Sequence, residues 1–276
     1  MSRHCASQVQ TNRTTNNQGN SKTNMTATEP NTVLVTGAAK RIGATIARHF
    51  HARGFRVIIH YNHSREEARA LEQELNQQRS ASAEILRADL TSTVDVDRLG
   101  QEALNRFGRL DVLINNASSF YPTDLGQCSR GQWDELMDSN LRAAFFLSQA
   151  LANELAGRQG AIVNIVDTYA DSPLAHYPIY SIAKAGLKAM TKSLALELAP
   201  NVRVNGVSPG AILWPPGLMD DNDPLVQEKR DKVLKAIPMG QLGKPEQIAE
   251  LCYFLARDAS YVNGQVIKCD GGRSLV

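Results

Sequence analysis

The sequence predicts an α/β fold, one doubly wound parallel sheet with helices on both faces, and three observations predict it. From about residue 31 onward, short β-branched runs alternate with longer stretches of helical apolar spacing. The first strand breaks at a glycine and passes straight into a helix. Polar or turn residues, namely Gly37, Asp89, Asn115, Asp167 and Pro209, recur where strands end, and in such sheets ligands gather at the carboxyl ends of the strands. At 276 residues with 42% hydrophobic content, the chain can bury a sizeable core. A net charge of +2 without runs of Lys and Arg carries no nucleic-acid signal, and no apolar run approaches the length of a membrane span. Cys5, Cys128, Cys252 and Cys269 are scattered without metal-ligand spacing, which reads as reduced thiols in a cytoplasmic protein and no metal site.

Residues 1–30 are rich in Asn, Thr, Ser and Gln and almost free of large apolar side chains. Such a segment cannot bury enough surface to offset its ordering entropy, so a disordered tail is expected, followed by one ordered domain over 31–276. It lacks the apolar core of a signal peptide.

The ordered part opens with TVLVTG, a buried-type strand ending at Gly37, then AAKRIG and the helical ATIARHFHARG. A strand that turns at glycine into a helix presents backbone N–H groups and the positive helix end to an anion, here a pyrophosphate. Gly37 permits the tight turn and Gly43 a close approach, with Ile42 between Arg41 and Gly43. The dinucleotide fingerprint is imperfect because Arg41 stands where a middle glycine is expected. After the second strand, FRVIIHY, no carboxylate is available to read a ribose 2′-hydroxyl. His60, Tyr61, Asn62, His63, Ser64 and Arg65 stand there instead, groups suited to a 2′-phosphate, and so NADPH is expected rather than NADH.

SAEILRADL is a third strand, VDRLGQEALNRFG a helix, LDVLINNAS a fourth strand and WDELMDSNLRAAFFLSQALANELA one long helix. GAIVNIVD is a fifth strand and VRVNGVSPG a sixth. Between them, SIAKAGLKAMTKSLALEL is a helix carrying Lys184, with Tyr180 one turn before it. Residues at i and i+4 share a helix face, so phenol and ammonium converge on one bound molecule. A cation that close is expected to lower the phenol pKa and suit it to proton transfer near neutral pH. Tyr-x-x-x-Lys also recurs by chance on ordinary helices. The Pro-rich stretch 211–240 reads as a long functional loop, with Trp214 packing either on that loop or on a ligand. PEQIAELCYFLA is an amphipathic helix.

TGAAKRIG, Asp89-Leu90, Asn115-Asn116-Ala117, Asn140, Tyr180 with Lys184, Pro209-Gly210 and the terminal DGG together resemble the short-chain dehydrogenase/reductase family from about residue 32 to the C-terminus. The resemblance implies a Rossmann-type sheet, a cofactor site over Gly37, Arg41, Ile42, Gly43, the His60–Ser64 segment, Asp89, Leu90, Asn115, Ala117, Lys184, Pro209 and Gly210, and a homotetramer built on the last strand, YVNGQVIKCDGG. Matched residue by residue, the family's catalytic Asn, Tyr and Lys are Asn140, Tyr180 and Lys184, while its usual Ser is replaced by Asp167. Asp167, Arg41 and Ser118-Ser119-Phe120 are departures shared with the pteridine reductase branch. That likeness implies NADPH-dependent reduction of dihydropterin, dihydrofolate or oxidised pterin to tetrahydro forms such as tetrahydrobiopterin. Arg41, Ser118, Phe120, Asp167, Tyr177 and Tyr180 would line the substrate pocket, Arg41 serving phosphate, substrate or both. Phe120 suits stacking on a flat heterocycle, and a carboxyl suits its ring nitrogens better than a hydroxyl does. A ketone reductase with Asp167 as a tolerated variation, and a non-catalytic NADPH sensor, are the competing readings.

Overall fold

The computed structural model describes residues 29–214, 216–218 and 222–276, so the tail expected to be disordered lies, but for Glu29 and Pro30, outside the described residues. The chain runs β1 (Thr32–Val35), α1 (Arg41–Ala52), β2 (Arg56–Tyr61), α2 (Arg65–Gln78), β3 (Ala83–Arg87), α3 (Thr93–Phe107), β4 (Val112–Asn115), α4 (Arg130–Met137), α5 (Ala143–Gly157), β5 (Ala161–Ile165), α6 (Pro178–Glu197), β6 (Arg203–Pro209), α7 (Pro224–Lys235), α8 (Pro245–Tyr253) and β7 (Val266–Cys269). The strands form one parallel sheet in the order β3-β2-β1-β4-β5-β6-β7. The winding direction reverses between β1 and β4, where α/β sheets open a ligand crevice.

The period of two along each strand builds both cores at once. Val33 and Val35 of β1, with Val57 and Ile59 of β2, face one layer formed by α1, α2 and α8, where Ile46, Phe50, Leu71, Leu75, Ile248 and Cys252 are buried. Leu34 and Ile58 face the opposite layer of α3, α5 and α6, against Leu99, Leu147, Leu151, Leu187 and Leu194. Strands buried on both faces must be apolar throughout, which is why β1 and β4 read as continuous hydrophobic runs.

Two expectations need correction. The single long helix over 133–156 is α4 and α5 joined by a π-helical turn at Asp138–Arg142, and the turn contains Asn140. Asn140 donates from Nδ2 to the Leu136 carbonyl at 2.9 Å and to the Ser119 carbonyl at 3.0 Å, so its side chain serves a helix carbonyl and the neighbouring loop together. The stretch 211–240 is not a structureless loop either. Asp223 caps α7 by accepting the Leu225 N–H, and Trp214 packs against the Arg230 guanidinium of that helix at 5.3 Å, within its own segment. No helix among the described residues is long and apolar enough to cross a membrane.

Gly43 places α1 hard against the turn after β1: a Cβ there would lie 2.3 Å from the Gly37 carbonyl oxygen and 2.6 Å from Asn116 Nδ2. Gly43→Ala is therefore expected to lower unfolding stability by about 2 kcal/mol or more and to weaken dinucleotide binding with it, as measured by denaturant titration and fluorescence binding.

Candidate active site

The turn after β1 is fastened from three sides. Gly37 holds a left-handed φ of +61°, open to glycine at no steric cost, and its N–H donates to His60 Nδ1 at 3.0 Å. Asn116 donates from Nδ2 to the Thr36 and Gly37 carbonyls, and the backbone N–H groups of Asn116 and Ala117 both donate to the Thr36 hydroxyl. Arg41 also sits at positive φ, +55°, with an exposed side chain at the start of α1. That helix has no side-chain cap and no acid in its first turn, so its opening N–H groups and positive end face the crevice without a carboxylate competitor. This cradle fits a pyrophosphate.

The other cofactor positions divide. His60 and Tyr61 are corrected: both are buried, and His60 Nε2 donates to the Ala88 carbonyl at 3.1 Å while Nδ1 accepts from Gly37. Its ring braces β2, β3 and the glycine turn, so it is not at hand for a phosphate. Burial pushes its pKa down to about 4. Asn62 and Ser64 are half-buried and His63 and Arg65 exposed at the start of α2, whose Ser64 N-cap makes no side-chain bond. The Asn62 side-chain oxygen is buried without a partner among the described residues. Glu66 and Glu67 share the first turn of α2, and Lys40 pairs with Glu67 at 3.3 Å.

Asp89 Oδ1 accepts from the Thr91 N–H and hydroxyl, shaping the exit from β3 beside buried Leu90. Asn115 is corrected as well, since its side chain turns inward and donates to Asn164 Oδ1 at 2.8 Å. Pro209 is buried at the end of β6. Gly210 is small for the sake of Asp270, whose Cβ would lie 2.6 Å from an added Cβ. Ile42 packs partly buried on the core.

The structure brings Asp167, Tyr180, Lys184, Ser118, Phe120, Tyr177 and Asn140 together at the carboxyl ends of β4 and β5. Asp167, two residues past β5, accepts the Tyr169 N–H on Oδ1 at 2.9 Å and the Tyr180 hydroxyl on Oδ2 at 2.7 Å. Lys184 is buried one turn along α6, donating to the Ile165 carbonyl at 2.9 Å, with its ammonium 5.7 Å from the Tyr180 ring centre. Ser118 donates to Asn140 Oδ1 at 2.6 Å. Phe120 remains 49% exposed at the mouth, stacked on Tyr177 with centroids 4.5 Å apart and edge-on to Tyr180 at 4.8 Å.

The expected depression of the phenol pKa is not what the protein alone produces. Burial first, then the Asp167 charge and its hydrogen bond, hold Tyr180 well above its ordinary value, with a Ser118 hydrogen bond acting in the opposite direction. Burial lowers Lys184 to about 8, with the Asp167 charge opposing it. Sequence reasoning named Asn116 within its motif but gave it no role, and its amide locks the glycine turn. It missed the His176–Asp124 pair, which ties the Phe120 loop to the approach to α6 together with the Thr123 N–H donated to the His176 carbonyl. His176 holds φ +69°, where an Asn or Gly would have been the usual sign of a turn.

A family model described as enoyl-(acyl carrier protein) reductase, of the short-chain type, matches residues 37–274. The chain belongs to the short-chain dehydrogenase/reductase family. Pteridine reductase 1 of Leishmania tarentolae is 37% identical over an alignment covering 88% of this chain and 96% of that protein. A 3beta-hydroxysteroid dehydrogenase 1 of Eggerthella lenta is 35% identical, covering 88% and 94%, and a 3-oxoacyl-[acyl-carrier-protein] reductase FabG of Staphylococcus aureus is 34% identical, covering 87% and 96%. Short-chain dehydrogenase/reductases are oxidoreductases that use NAD(P)H, and the glycine turn, the uncapped helix end and buried Lys184 are the groups of this chain that fit such a dinucleotide.

His60 titrates far lower folded than unfolded, so the unfolded chain takes up its proton first as pH falls. Its contribution is complete above the free-histidine value of 6.5 and lost as pH drops toward 4, on the order of 3 kcal/mol. His60→Gln, whose amide can accept from Gly37 and donate to Ala88, is expected to flatten that pH dependence in denaturant unfolding measured across this window.

Proposed function

We propose that this protein is an NADPH-dependent pteridine reductase that converts dihydropterin or dihydrofolate, and oxidised pterin, to the tetrahydro form. The carrying observation is the Asp167 carboxylate accepting the Tyr180 hydroxyl at 2.7 Å beneath a half-exposed Phe120. A carboxylate repels the negative charge that develops on a ketone oxygen during reduction, yet it pairs naturally with the amino and ring N–H groups of a pterin. The exposed face of Phe120 offers a flat heterocycle an aromatic platform. The pteridine reductase of L. tarentolae supports the same reading.

A bound reduced dinucleotide would supply the hydride. Lys184 would bind and orient its ribose hydroxyls with the N–H bonds it does not give to Ile165. Tyr180 holds the proton for the ring nitrogen of a fully oxidised pterin; for the dihydro form Asp167 orients a water that gives its proton to the ring nitrogen and regains one from bulk water. Asn140 fixes the loop that carries Ser118 and Phe120. The absence of a carboxylate at the end of β2, with His63, Ser64 and Arg65 at the start of α2, favours the 2′-phosphate of NADPH. Cytoplasmic location and a homotetramer complete the reading, on the scattered cysteines of the sequence and the family likeness.

A ketone reductase is the second reading, favoured by the steroid and oxoacyl relatives. Purified protein is expected to oxidise NADPH with dihydrobiopterin or dihydrofolate and to prefer NADPH over NADH. Turnover of simple ketones with none of pterins would establish the second reading instead. Asp167→Asn is expected to cut dihydropterin kcat by about a hundredfold or more while NADPH affinity changes little. Tyr180→Phe should spare NADPH binding and lose oxidised-pterin reduction, whereas a sensor protein would show no turnover to lose.

A further inference from the structure

Phe120 is a platform carried on a loop, and a half-exposed ring holds a heterocycle well only if the ring itself stays in place. Its loop is pinned on the inner side, where Asn140 Nδ2 donates to the Ser119 carbonyl at 3.0 Å, and at Tyr121, whose hydroxyl donates to Glu135 Oε2 at 3.0 Å. The outer side is held by His176, in the segment before α6. Its carbonyl accepts the Thr123 N–H at 2.7 Å, and its ring Nδ1 pairs with Asp124 Oδ1. An ionised carboxylate can only accept, so the imidazole N–H donates to it.

His176 stands at φ +69°, a left-handed conformation that strains most side chains. In return, one residue offers both its carbonyl and its ring to two successive residues of the facing loop. Thr123 is buried there, between exposed Pro122 and exposed Asp124. The segment that carries His176 is itself tied to α6, with the Leu174 N–H donating to Ser181 Oγ at 3.2 Å and the Tyr177 N–H to the Leu174 carbonyl at 3.1 Å. The Phe120 loop is thereby set against the helix that bears Tyr180 and Lys184.

We propose that Asp124 and His176 are positioning residues whose clasp holds the Phe120–Tyr177 stack in place as the platform for a flat substrate, setting substrate affinity and not the rate of the chemical step. The inference deepens the pterin reading and rests on it. Tyr177 follows His176 directly and Phe120 precedes Thr123 by three residues, so the clasp governs how the two rings meet, 4.5 Å apart and 11° from parallel. That spacing leaves no room for a third ring between them. Tyr177 therefore backs Phe120, and a heterocycle takes the other face. The bond from Tyr180 to Asp167 joins α6 to the end of β5 and does not pass through the clasp, so the proton-bearing pair is spared when the clasp is lost.

The test uses the full chain. Asp124→Ala and His176→Gly are each expected to raise KM for dihydrobiopterin about threefold to fivefold, the reach of a pair whose side chains are both exposed. With kcat within about twofold and NADPH affinity unchanged, the loss would be one of uniform substrate binding. The double variant should be no worse than either single variant, because both remove the same contact. His176→Gly should keep or raise the unfolding midpoint, since glycine takes φ +69° without strain, whereas a residue with a merely structural role would lose midpoint and KM together. A readout free of substrate is the Tyr177 ring resonance in tyrosine-labelled protein, assigned by its loss in Tyr177→Phe. Asp124→Ala should move it toward its position in Phe120→Leu, where the stack is gone. KM values equal to wild type, effects that multiply in the double variant, a fallen midpoint in His176→Gly, or a Tyr177 resonance unmoved by Asp124→Ala would each overturn the proposal. A shifted resonance without any pterin turnover would count against the assigned substrate and support the clasp.

Discussion

A parallel sheet delivers the carboxyl ends of all its strands to one edge, and the chemistry of this protein depends on that constraint. Gly37 leaves β1, Asn116 leaves β4 and Asp167 leaves β5 on the same rim, although the sequence separates Gly37 from Asp167 widely. The reversal of winding between β1 and β4 opens the rim into a crevice. The turn after β1 then has to be rigid, and Thr36, Asn116 and His60 make it so with backbone-directed hydrogen bonds. What remains free on the crevice side is an uncapped helix end.

Within that crevice the decisive feature is a buried phenol bound to a carboxylate. Two groups that both prefer water, or a counter-charge, are set 2.7 Å apart in a site where the phenol is almost wholly covered. The proton is thereby held on Tyr180 in the resting protein. Release of that proton needs either a change in the charge of the pocket or a new donor to the phenolate. Lys184 remains the nearest ammonium, but its own burial weakens its claim to a full charge and it spends a bond on Ile165. The pocket is tuned by several neighbours acting against one another, and Asp167 is the member that distinguishes it from a hydroxyl-based site.

Overall identity does not separate the activities found in this family, because a pteridine reductase, a steroid dehydrogenase and an oxoacyl reductase stand at 37%, 35% and 34%. The pocket at the carboxyl ends of β4 and β5 gathers Asp167, Phe120 with its partner Tyr177, and Ser118.

The sequence by itself determined the α/β class, the strand that turns at Gly37 and the helical pairing of Tyr180 with Lys184, because these depend on local periodicity and on neighbours within one helical turn. Tertiary structure alone decided which polar residues of a run face the crevice. His60 and Tyr61 point inward because β2 is an interior strand buried on both faces, and Asn115 points to Asn164 because β4 and β5 are paired in register there. It also decided the π-helical turn that carries Asn140 and the sign of the phenol shift, since burial and the reach of Asp167 to Tyr180 are sums over segments that meet only when the sheet closes.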